Sequence, residues 1–336
     1  MITEKAVDAN DYLVRRLTDE DADGVVACVR GVYGDSYIIH TELYHPEEII
    51  ALNECGRLVS AVAVHVSGRV VGHYALERPD TAGRIAESGE AMVLREHQHH
   101  HLLERMRVIL EAEAYRLELR GIFGRTVTNH VFSQRAVERF GERPCGISLG
   151  RTPKTFHNLE RPLSQRMSIV LYFKYLRRPQ TVAVHAPSRH REVCRRIYEE
   201  FNVSVDFREG AAATGPGHVD VEHHPELQRA IVRVCRVGAD TAEMLSRLAK
   251  ELSGRQVEVT YLDLPLADAG TPSLCEEAEQ LGFFFAGIGP YFFTDGDALR
   301  MQRLAVDLDT SVLEIENAFA RDLLHYIEEE RQRVRG

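Results

Sequence analysis

A local pattern that occurs twice, about 140 residues apart, constrains the fold of this chain more than any other feature of its sequence. In each copy a strand-like run leads to a short helical segment, then to a glycine, and then to a second run that contains Gly-Ile. The first copy covers residues 126–147 and the second covers residues 261–288. Because a duplicated structural unit indicates a duplicated fold, we expect two similar domains in tandem.

The segments around the first copy alternate between strand and helix patterns. Leu58–Val66 and Arg69–Glu77 are β-rich runs separated only by Ser67-Gly68, which predicts an antiparallel hairpin. Apolar residues at helical spacing predict a helix over Leu102–Leu119. Further strands are predicted over Tyr12–Arg16, Ala86–Leu94 and Ile122–Thr128, and further helices over Leu17–Tyr33 and Ser133–Phe140. This order predicts an α/β domain with a mixed sheet.

The second half shows a similar order of elements. Strands are predicted over Arg166–Leu176, Thr181–His185, Gln228–Val237, Val257–Leu264 and Phe283–Ile288, and helices over Arg189–Glu200, Thr241–Leu252, Pro272–Leu281 and Val312–Val334. Gly210–Gly217 has the composition of a loop. We therefore expect a first domain over residues 1–160, a second over residues 161–309, and a C-terminal helix within residues 310–336.

The composition narrows the class of protein. The 336 residues carry a formal net charge of −10, whereas a general nucleic-acid or anionic-membrane surface needs a basic excess. No apolar run approaches a membrane span, and the first residues lack the apolar stretch of a signal peptide. The six cysteines are scattered and form no CxxC pair. We expect a cytoplasmic protein that binds neither nucleic acid nor membrane.

A set of short motifs extends through both halves. It comprises Val32–Gly34, Ser36-Tyr37, Leu43–Glu47, Val70–His73, Gly89–Val93, Thr126–His130, Ser133-Gln134, Gly141 and Gly146–Gly150, followed by Asp263–Leu266, Thr271-Pro272 and Leu281–Ile288. As a set, these motifs resemble the GNAT N-acyltransferase superfamily, and most of all a bacterial subgroup in which a GNAT domain precedes a second GNAT-like half. The resemblance implies a twisted sheet with two splayed strands, acetyl-CoA or another acyl-CoA in the splay, and acyl transfer to an amine of a small molecule or protein.

The resemblance also implies a turn that binds the CoA pyrophosphate. In the family it reads Arg/Gln-x-x-Gly-x-Gly/Ala, and its backbone N–H groups face the phosphates at a helix N-terminus. Here the turn is Arg95–His101, with Gln98 at the polar position and His99 and His101 at the glycine positions. A Cβ atom there disfavours a positive φ, although a right-handed helical backbone would need no glycine. The implied cofactor-binding residues are Met92, Val93, Leu94, Gln98, His99, His100, His101, Leu102, Ser133 and Gln134.

The histidines of this turn allow three interpretations. Imidazoles can donate hydrogen bonds to phosphate, so the run can be a modified phosphate turn. It can equally be a decayed turn on an exposed loop. His97 and His101 are four residues apart and could share a helix face as metal ligands, but no carboxylate or cysteine at ligand spacing completes a site, so we expect no metal there.

The catalytic candidates come from the same resemblance. Family members often use a Glu on the strand before the turn as base, which points to Glu87 and Glu90, while His130 could orient the substrate or move a proton. The family's general-acid tyrosine falls at Val137 and is vacant. Ser133 and Gln134 either touch the cofactor or cap and begin a helix. The predicted substrate-binding residues are Tyr33, Tyr37 and Tyr44, which could instead pack in the core.

Two main hypotheses follow for the function. The first is an acyl-CoA-dependent N-acyltransferase that works through the N-terminal domain. The alternative is a catalytically degenerate GNAT-fold protein that binds or regulates, and the second half supports it, since Gly238-Ala239-Asp240 is too short for a phosphate turn and Asp240 is typical of a helix N-cap. A metal- or pH-sensing module built on the histidine run is a third. A homodimer stays open as the assembly.

Overall fold

The computed structural model describes residues 11–35, 37, 40–78, 80–154 and 163–335. The chain divides into two compact units. Unit 1 contains residues 1–122 and 156–162, and unit 2 contains residues 123–155 and 163–336. The domain boundary expected between residues 160 and 161 lies outside the described residues, so the limits 1–160, 161–309 and 310–336 stay a prediction.

The described residues of unit 1 form three α-helices and four complete strands. The strands are β1 (Tyr12–Arg16), β2 (Leu58–His65), β3 (Val70–Glu77) and β4 (Ile85–Val93), and the helices are α1 (Ala22–Tyr33), α2 (Pro46–Glu54) and α3 (Leu102–Arg116). Each strand pairs antiparallel with the next, so the predicted hairpin of β2 and β3 is confirmed. Helix α2 was not predicted, because it is short and buries only Ile49.

Strands β2 and β3 form the centre of unit 1. Nearly every residue of both strands is buried, as expected for strands covered on both faces. Helix α1 packs on β3 through residues such as Cys28 and Val29, and α3 packs on β2 and β3 through residues such as Met106 and Leu110. Because both faces of these strands are covered, side chains that lie against them are in surroundings of low dielectric constant.

Strand β4 contains a bulge that determines the position of Glu90. His73 of β3 pairs with Met92 and Ala75 pairs with Gly89, so β4 has one more residue than β3 over this stretch. Glu90 takes up the extra residue with a φ of 57°, a left-handed conformation that few non-glycine residues adopt. Its side chain is buried as a result.

Unit 2 contains a larger sheet. Its strands are β5 (Gly121–Val127, whose first two residues belong to unit 1), β6 (Arg143–Thr152), β7 (Met167–Tyr175), β8 (Thr181–Val184), β9 (Ser204–Phe207), β10 (His218–His224), β11 (Arg229–Arg236), β12 (Val259–Pro265), β13 (Phe284–Phe293) and β14 (Gly296–Leu304). Its helices are α4 (Phe132–Arg139), α5 (Arg191–Glu200), α6 (Thr241–Gly254), α7 (Thr271–Gln280) and α8 (Ala318–Arg335).

The strand order in unit 2 is β5-β7-β6-β13-β14-β12-β11-β10, while β8 and β9 form a separate parallel pair. Strands β11 and β12 are parallel, and β6–β7, β13–β14 and β12–β14 are antiparallel. The predicted α/β class with a mixed sheet is therefore confirmed. No helix in the described part of the chain is long and apolar enough to cross a membrane.

Both copies of the sequence repeat adopt the same order of elements in unit 2. The first is β5-α4-β6-β7 and the second is β12-α7-β13-β14, and in each the last strand lies between the other two in the sheet. Gly141 and Gly282 follow the two short helices with φ values of 84° and 85°. The repeated glycines Gly146 and Gly287 pair with each other where β6 meets β13.

A loop of unit 2 occupies the N-terminal end of α6. The backbone N–H of Ala239 donates to the carbonyl of Gly215 at 2.9 Å, and the N–H of Gly217 donates to Oδ1 of Asp240 at 2.7 Å. A Cβ atom on Gly238 would lie 2.1 Å from the nitrogen of Gly217, so the loop and the turn are in close contact. Asp240 is at the N-cap position of α6, as expected, but its side chain holds the loop and makes no capping bond to the helix.

Candidate functional site

The most unusual side chain of unit 1 is Glu90. Its side chain is 2% exposed, and neither carboxylate oxygen has a hydrogen-bond partner among the described residues. The nearest basic atoms are Nδ1 of His40, 3.5 Å from Oε1, and Nδ1 of His73, 3.9 Å from Oε2. Burial raises the pKa of Glu90 to about 8, against the opposing effect of His40. This carboxyl group can therefore exchange a proton near neutral pH.

His40 connects Glu90 to a second carboxylate. Its Nδ1 is 3.1 Å from Oε1 of Glu42. Burial lowers the pKa of His40, but the hydrogen bond to Glu42 and the charge of Glu90 outweigh that effect and raise it to about 9. The three groups form a chain of acid–base partners. Neither His40 nor Glu42 was predicted from the sequence; their position between Tyr37 and Tyr44, two predicted substrate-binding residues, was the available signal.

His73 is hydrogen-bonded to the backbone of the bulge at Glu90. It is completely buried, with Nε2 3.0 Å from Oγ of Ser60 and Nδ1 3.3 Å from the backbone oxygen of Glu90. Burial lowers the pKa of His73 to about 4, so the ring is neutral at physiological pH. A neutral ring that donates from Nδ1 to Glu90 and accepts at Nε2 from Ser60 satisfies both contacts.

The two glutamates predicted as bases occupy different surroundings. Along β4 up to Glu90, burial alternates: Ala86, Ser88 and Glu90 are buried, and Glu87 between the first two is half-buried. Glu87 pairs in register with Glu77 of β3. Only Glu90 of the two is enclosed, and the catalytic role of each stays a prediction.

The three tyrosines predicted to bind substrate lie together. The rings of Tyr33 and Tyr37 stack with centroids 4.2 Å apart and planes 7° from parallel. The hydroxyl of Tyr44 accepts from the backbone N–H of Tyr37 at 2.9 Å and donates to the carbonyl of Gly34 at 2.8 Å. The ring of Tyr37 is 5.2 Å from that of His40. A cavity of about 270 Å³ adjoins them and is lined by Arg30, Asp35, Tyr37, Thr41, Tyr44 and His45.

The turn Arg95–His101 keeps a glycine-like backbone without glycine. His99 has a φ of 69° and His101 a φ of 54°, so both are left-handed at the positions where the motif has glycine. The right-handed alternative considered from the sequence is thus not adopted. The left-handed region costs an L-residue roughly 1–2 kcal/mol. Gln98 donates from Nε2 to the carbonyl of Val93 at 3.4 Å, inside the turn.

Two other histidines fasten this turn to the sheet. Nδ1 of His97 is 2.9 Å from the hydroxyl of Tyr12, and the ring of His100 is 5.1 Å from that of Tyr12. His65 on β2 completes the cluster, with its ring 5.2 Å from that of His97. Burial, together with the neighbouring basic groups, lowers the pKa of His97. These rings pack against one another, which leaves His99 and His101 as the exposed imidazoles of the turn.

The start of α3 presents unpaired backbone donors. Within the described residues, no acceptor is found for the N–H groups of His101, Leu102 and Leu103. Such donors, combined with the helix dipole, suit an anion. The remaining predicted cofactor-binding residues of this region, Met92, Val93, Leu94 and Leu102, are buried beside the turn.

The predicted residues His130, Ser133 and Gln134 belong to unit 2. Gln134 is fully buried; its Nε2 donates to the carbonyls of Val127 and Glu314, and its Oε1 accepts from the backbone N–H of Glu316. Helix α4 has Val131 at its N-cap position, so Ser133 does not cap it. Nδ1 of His130 and Oγ of Ser133 are buried without a hydrogen-bond partner among the described residues. Their roles in catalysis or cofactor binding stay predictions.

Comparison with known proteins gave structural neighbours only. No protein-family model matches the chain, and no curated protein is significantly similar to it. An acetyltransferase of the GNAT family from Staphylococcus aureus is similar at 13% identity and a TM-score of 0.37, over 49% of this chain and 99% of that one. A ribosomal-protein-S5-alanine acetyltransferase from Vibrio fischeri matches at 15% identity and a TM-score of 0.39, over 50% and 96%. A variant of the spermidine N-acetyltransferase of Vibrio cholerae matches at 12% identity and a TM-score of 0.38, over 49% and 94%. Each of these three solved structures is named as an acetyltransferase.

Proposed function

We propose that unit 1 carries the active site of an acyl-CoA-dependent N-acyltransferase in which Glu90 is the general base. The observation that carries this proposal is a buried carboxyl group with a pKa of about 8 and no hydrogen-bond partner for either oxygen among the described residues. Strongly perturbed acids of this kind concentrate at functional sites. A carboxylate made for structure alone would normally be paired.

The chemistry requires such a base. An amine is mainly protonated at neutral pH and must lose a proton before its nitrogen attacks a thioester carbonyl. Glu90 would take that proton, and the nitrogen would then form a C–N bond while the C–S bond breaks. The second proton lost by the nitrogen goes to the departing thiolate, which leaves as a thiol. A base with a pKa of about 8 is well matched to this transfer. His40, held by Glu42, supplies the positive charge that favours the ionised form of Glu90.

The turn before α3 would hold the pyrophosphate of the acyl-CoA. Its backbone is left-handed at His99 and His101, and the N–H groups of His101, Leu102 and Leu103 have no protein acceptor in the described residues. The exposed imidazoles of His99 and His101 add donors for phosphate oxygens. The acyl-CoA contributes the activated thioester, and the residues of the chain contribute position and proton transfer.

The cavity beside Tyr37 and Tyr44 would receive the amine. Its volume of about 270 Å³ suits a small amine or one side chain of a protein substrate. Asp35 lines it and pairs with Arg30, another lining residue, at 3.4 Å, so a cationic group would share that carboxylate. The ring of His40 lies next to Tyr37, so an amine bound there would be close to the acid–base chain that ends at Glu90.

Paired variants test this proposal. Acetyl-CoA binding is measured by isothermal titration, and turnover by release of free thiol with a panel of polyamines, amino acids and peptide N-termini. We expect Glu90→Gln to bind acetyl-CoA like the wild type and to lose about 10²–10⁴-fold in kcat/KM. Glu87→Gln, on the same strand, should remain close to wild type. Loss of turnover in Glu87→Gln with full activity in Glu90→Gln would refute the assignment.

A binding or regulatory protein on the same fold is the second candidate. The filled N-terminal end of α6 favours it. Helix α6 precedes the second copy of the repeat as α3 precedes the first, and residues 215–217 of the same unit occupy the start of α6. Micromolar binding of acetyl-CoA with no turnover across the whole amine panel would support this candidate over the enzyme.

A further inference from the structure

A second cluster of chemically active side chains lies in unit 2. His190 immediately precedes α5, and Cys275 and Glu279 are one turn apart on α7. His190 is fully buried, Cys275 is 1% exposed, and the side chain of Glu279 is 13% exposed. One nitrogen, one sulfur and one carboxylate oxygen from these residues lie within 4.8 Å of one another. The proposed acyltransferase does not use this cluster.

The ring of His190 contacts a hydroxyl on one side and a carboxylate on the other. The hydroxyl of Tyr326 is 2.6 Å from Nδ1 of His190 and also reaches the carbonyl of Arg189 at 3.3 Å. In the neutral tautomer that carries its proton on Nδ1, the ring donates to this hydroxyl and Nε2 has a lone pair.

That lone pair faces another acceptor. Nε2 of His190 is 3.1 Å from Oε1 of Glu279. The same oxygen is 2.7 Å from Nη2 of Arg333, a contact that keeps the carboxylate ionised. In this tautomer two acceptors lie in contact, which is the arrangement of two ligands of one cation. Sγ of Cys275 lies within 4.8 Å of the ligand atoms of both residues and adds a third donor.

We propose that Nε2 of His190, Sγ of Cys275 and a carboxylate oxygen of Glu279 bind a zinc ion. Imidazole nitrogen, thiolate sulfur and carboxylate oxygen are the three ligand types of zinc in proteins, and three protein ligands leave a fourth position for water. Residues four apart on a helix lie on one face, as Cys275 and Glu279 require. A metal-bound histidine usually donates its other ring N–H to a fixed partner, and Tyr326 is that partner here.

The ion would join three parts of unit 2. His190 positions the start of α5, Cys275 and Glu279 belong to α7, and the partners Tyr326 and Arg333 belong to α8. The zinc would therefore be structural, and its removal should loosen the attachment of α8. Binding energy at a site that exists only in the folded state adds to folding stability.

Cobalt(II) provides a direct test, because a cobalt–thiolate bond gives a charge-transfer absorption in the near ultraviolet. The full chain is stripped with a chelator and titrated with cobalt in a Cys235→Ser background, since Cys235 lies with His218 and Asp220 in an exposed group that could also take the ion. We expect one equivalent of cobalt to produce the band. Cys275→Ser should abolish it, and Cys145→Ser, which changes another buried cysteine of unit 2, should leave it unchanged.

A thermal arm covers variants that fold poorly. Zinc at a hundredfold excess over its Kd should raise the Tm of the stripped protein by about 5–10 °C. Glu279→Gln keeps the shape of the side chain and should weaken zinc binding at least about tenfold. A folded, stripped protein that shows neither the cobalt band nor the Tm shift overturns the proposal. A band that persists in Cys275→Ser overturns it as well.

Discussion

Glu90 combines two properties that glutamate residues rarely share, a left-handed backbone and a nearly complete burial. Both have a structural cause, since the extra residue of β4 turns the chain and β2 and β3 are covered on both faces. Burial favours the protonated carboxyl, so ionisation of Glu90 lowers the free energy of unfolding. This loss of stability is acceptable in the proposed role of Glu90, because that role requires the carboxyl to exchange a proton.

We predict that the free energy of unfolding falls as the pH rises from 6.5 to 9. Folding raises the pKa of Glu90 from 4.5 to about 8, mainly by burial, and that of His40 from 6.5 to about 9, where Glu42 and Glu90 outweigh burial. A group whose pKa is raised in the folded state loses its stabilising contribution as the pH passes through the folded value. Urea unfolding at both pH values measures the slope.

The variants Glu90→Gln and Glu87→Gln separate the contributions. The first removes the buried titrating group, so its unfolding free energy should change less with pH than that of the wild type. The second should keep the wild-type slope. An unchanged slope in Glu90→Gln would show that other groups set the pH dependence.

At the scale of single residues, the sequence indicated part of the candidate site. Glu90 and the three tyrosines could be selected from motif positions, but His40, Glu42 and His73 could not. Their contacts with Glu90 arise from the bulge and from a segment between α1 and α2 that has no periodic pattern. Nor could the sequence show that His99 and His101 would be left-handed, because steric preference argues against it.

At the scale of elements, the turn before α3 is strained at two positions and fixed at two others. His99 and His101 are left-handed, whereas His97 and His100 pack on Tyr12. Strain that persists next to a well-anchored cluster is typical of a functional turn. His97 and His100 therefore anchor the turn, whereas His99 and His101 give it its left-handed backbone. The composition of the histidine run alone did not distinguish these two roles.

We expect His99→Gly and His101→Gly to stabilise the protein by about 0.5–1 kcal/mol each, because glycine removes the left-handed penalty and only part of the gain is lost to the unfolded chain. His100→Gly should destabilise it, since that ring packs on Tyr12. Thermal unfolding measures all three. Destabilisation by His99→Gly and His101→Gly as large as that by His100→Gly would mean that these side chains make stabilising contacts.

Among the elements, regular apolar patterns were predictive and polar ones were not. The hairpin, β1 and α3 follow from their sequences within a few residues. Strand β10 has two valines among two acidic residues and three histidines, and none of its residues is buried, so no buried face marks it. Strand β14 contains the buried Arg300, which resembles a surface residue in sequence and becomes buried only through its bidentate pairing with Asp263 of β12.

At the scale of the whole chain, the two copies of the repeat resemble each other in sequence and also pair with each other in the sheet. Gly146 and Gly287 hold equivalent places in the two copies and meet each other at the β6–β13 contact. A Cβ atom on Gly287 would lie 2.3 Å from Cα of Gly146, and the φ of Gly287 is 141°. The pairing of the repeats in unit 2 therefore depends on the absence of side chains at this point.

Gly287→Ala should destabilise unit 2 by about 2–3 kcal/mol, from the steric overlap and the unfavourable φ. Gly254→Ala is the matched control, since a Cβ atom at that helical position meets nothing within 4 Å. It should stabilise the protein by roughly 0.5–1 kcal/mol. Calorimetric unfolding of the two variants measures the difference. Equal Tm values would indicate that β6 and β13 separate at little cost.

The β6–β13 contact also has a consequence for the ribosome-bound chain. Strand β6 is synthesised about 140 residues before the strand that covers its edge. At the usual 5–20 residues per second, the edge of β6 stays unpaired for several seconds or longer. During that time a strand of another nascent chain on the same message could pair with it instead. The timing of translation between the two repeats, and any chaperone that shields the waiting strand, would then decide how much of the newly made protein reaches its native pairing.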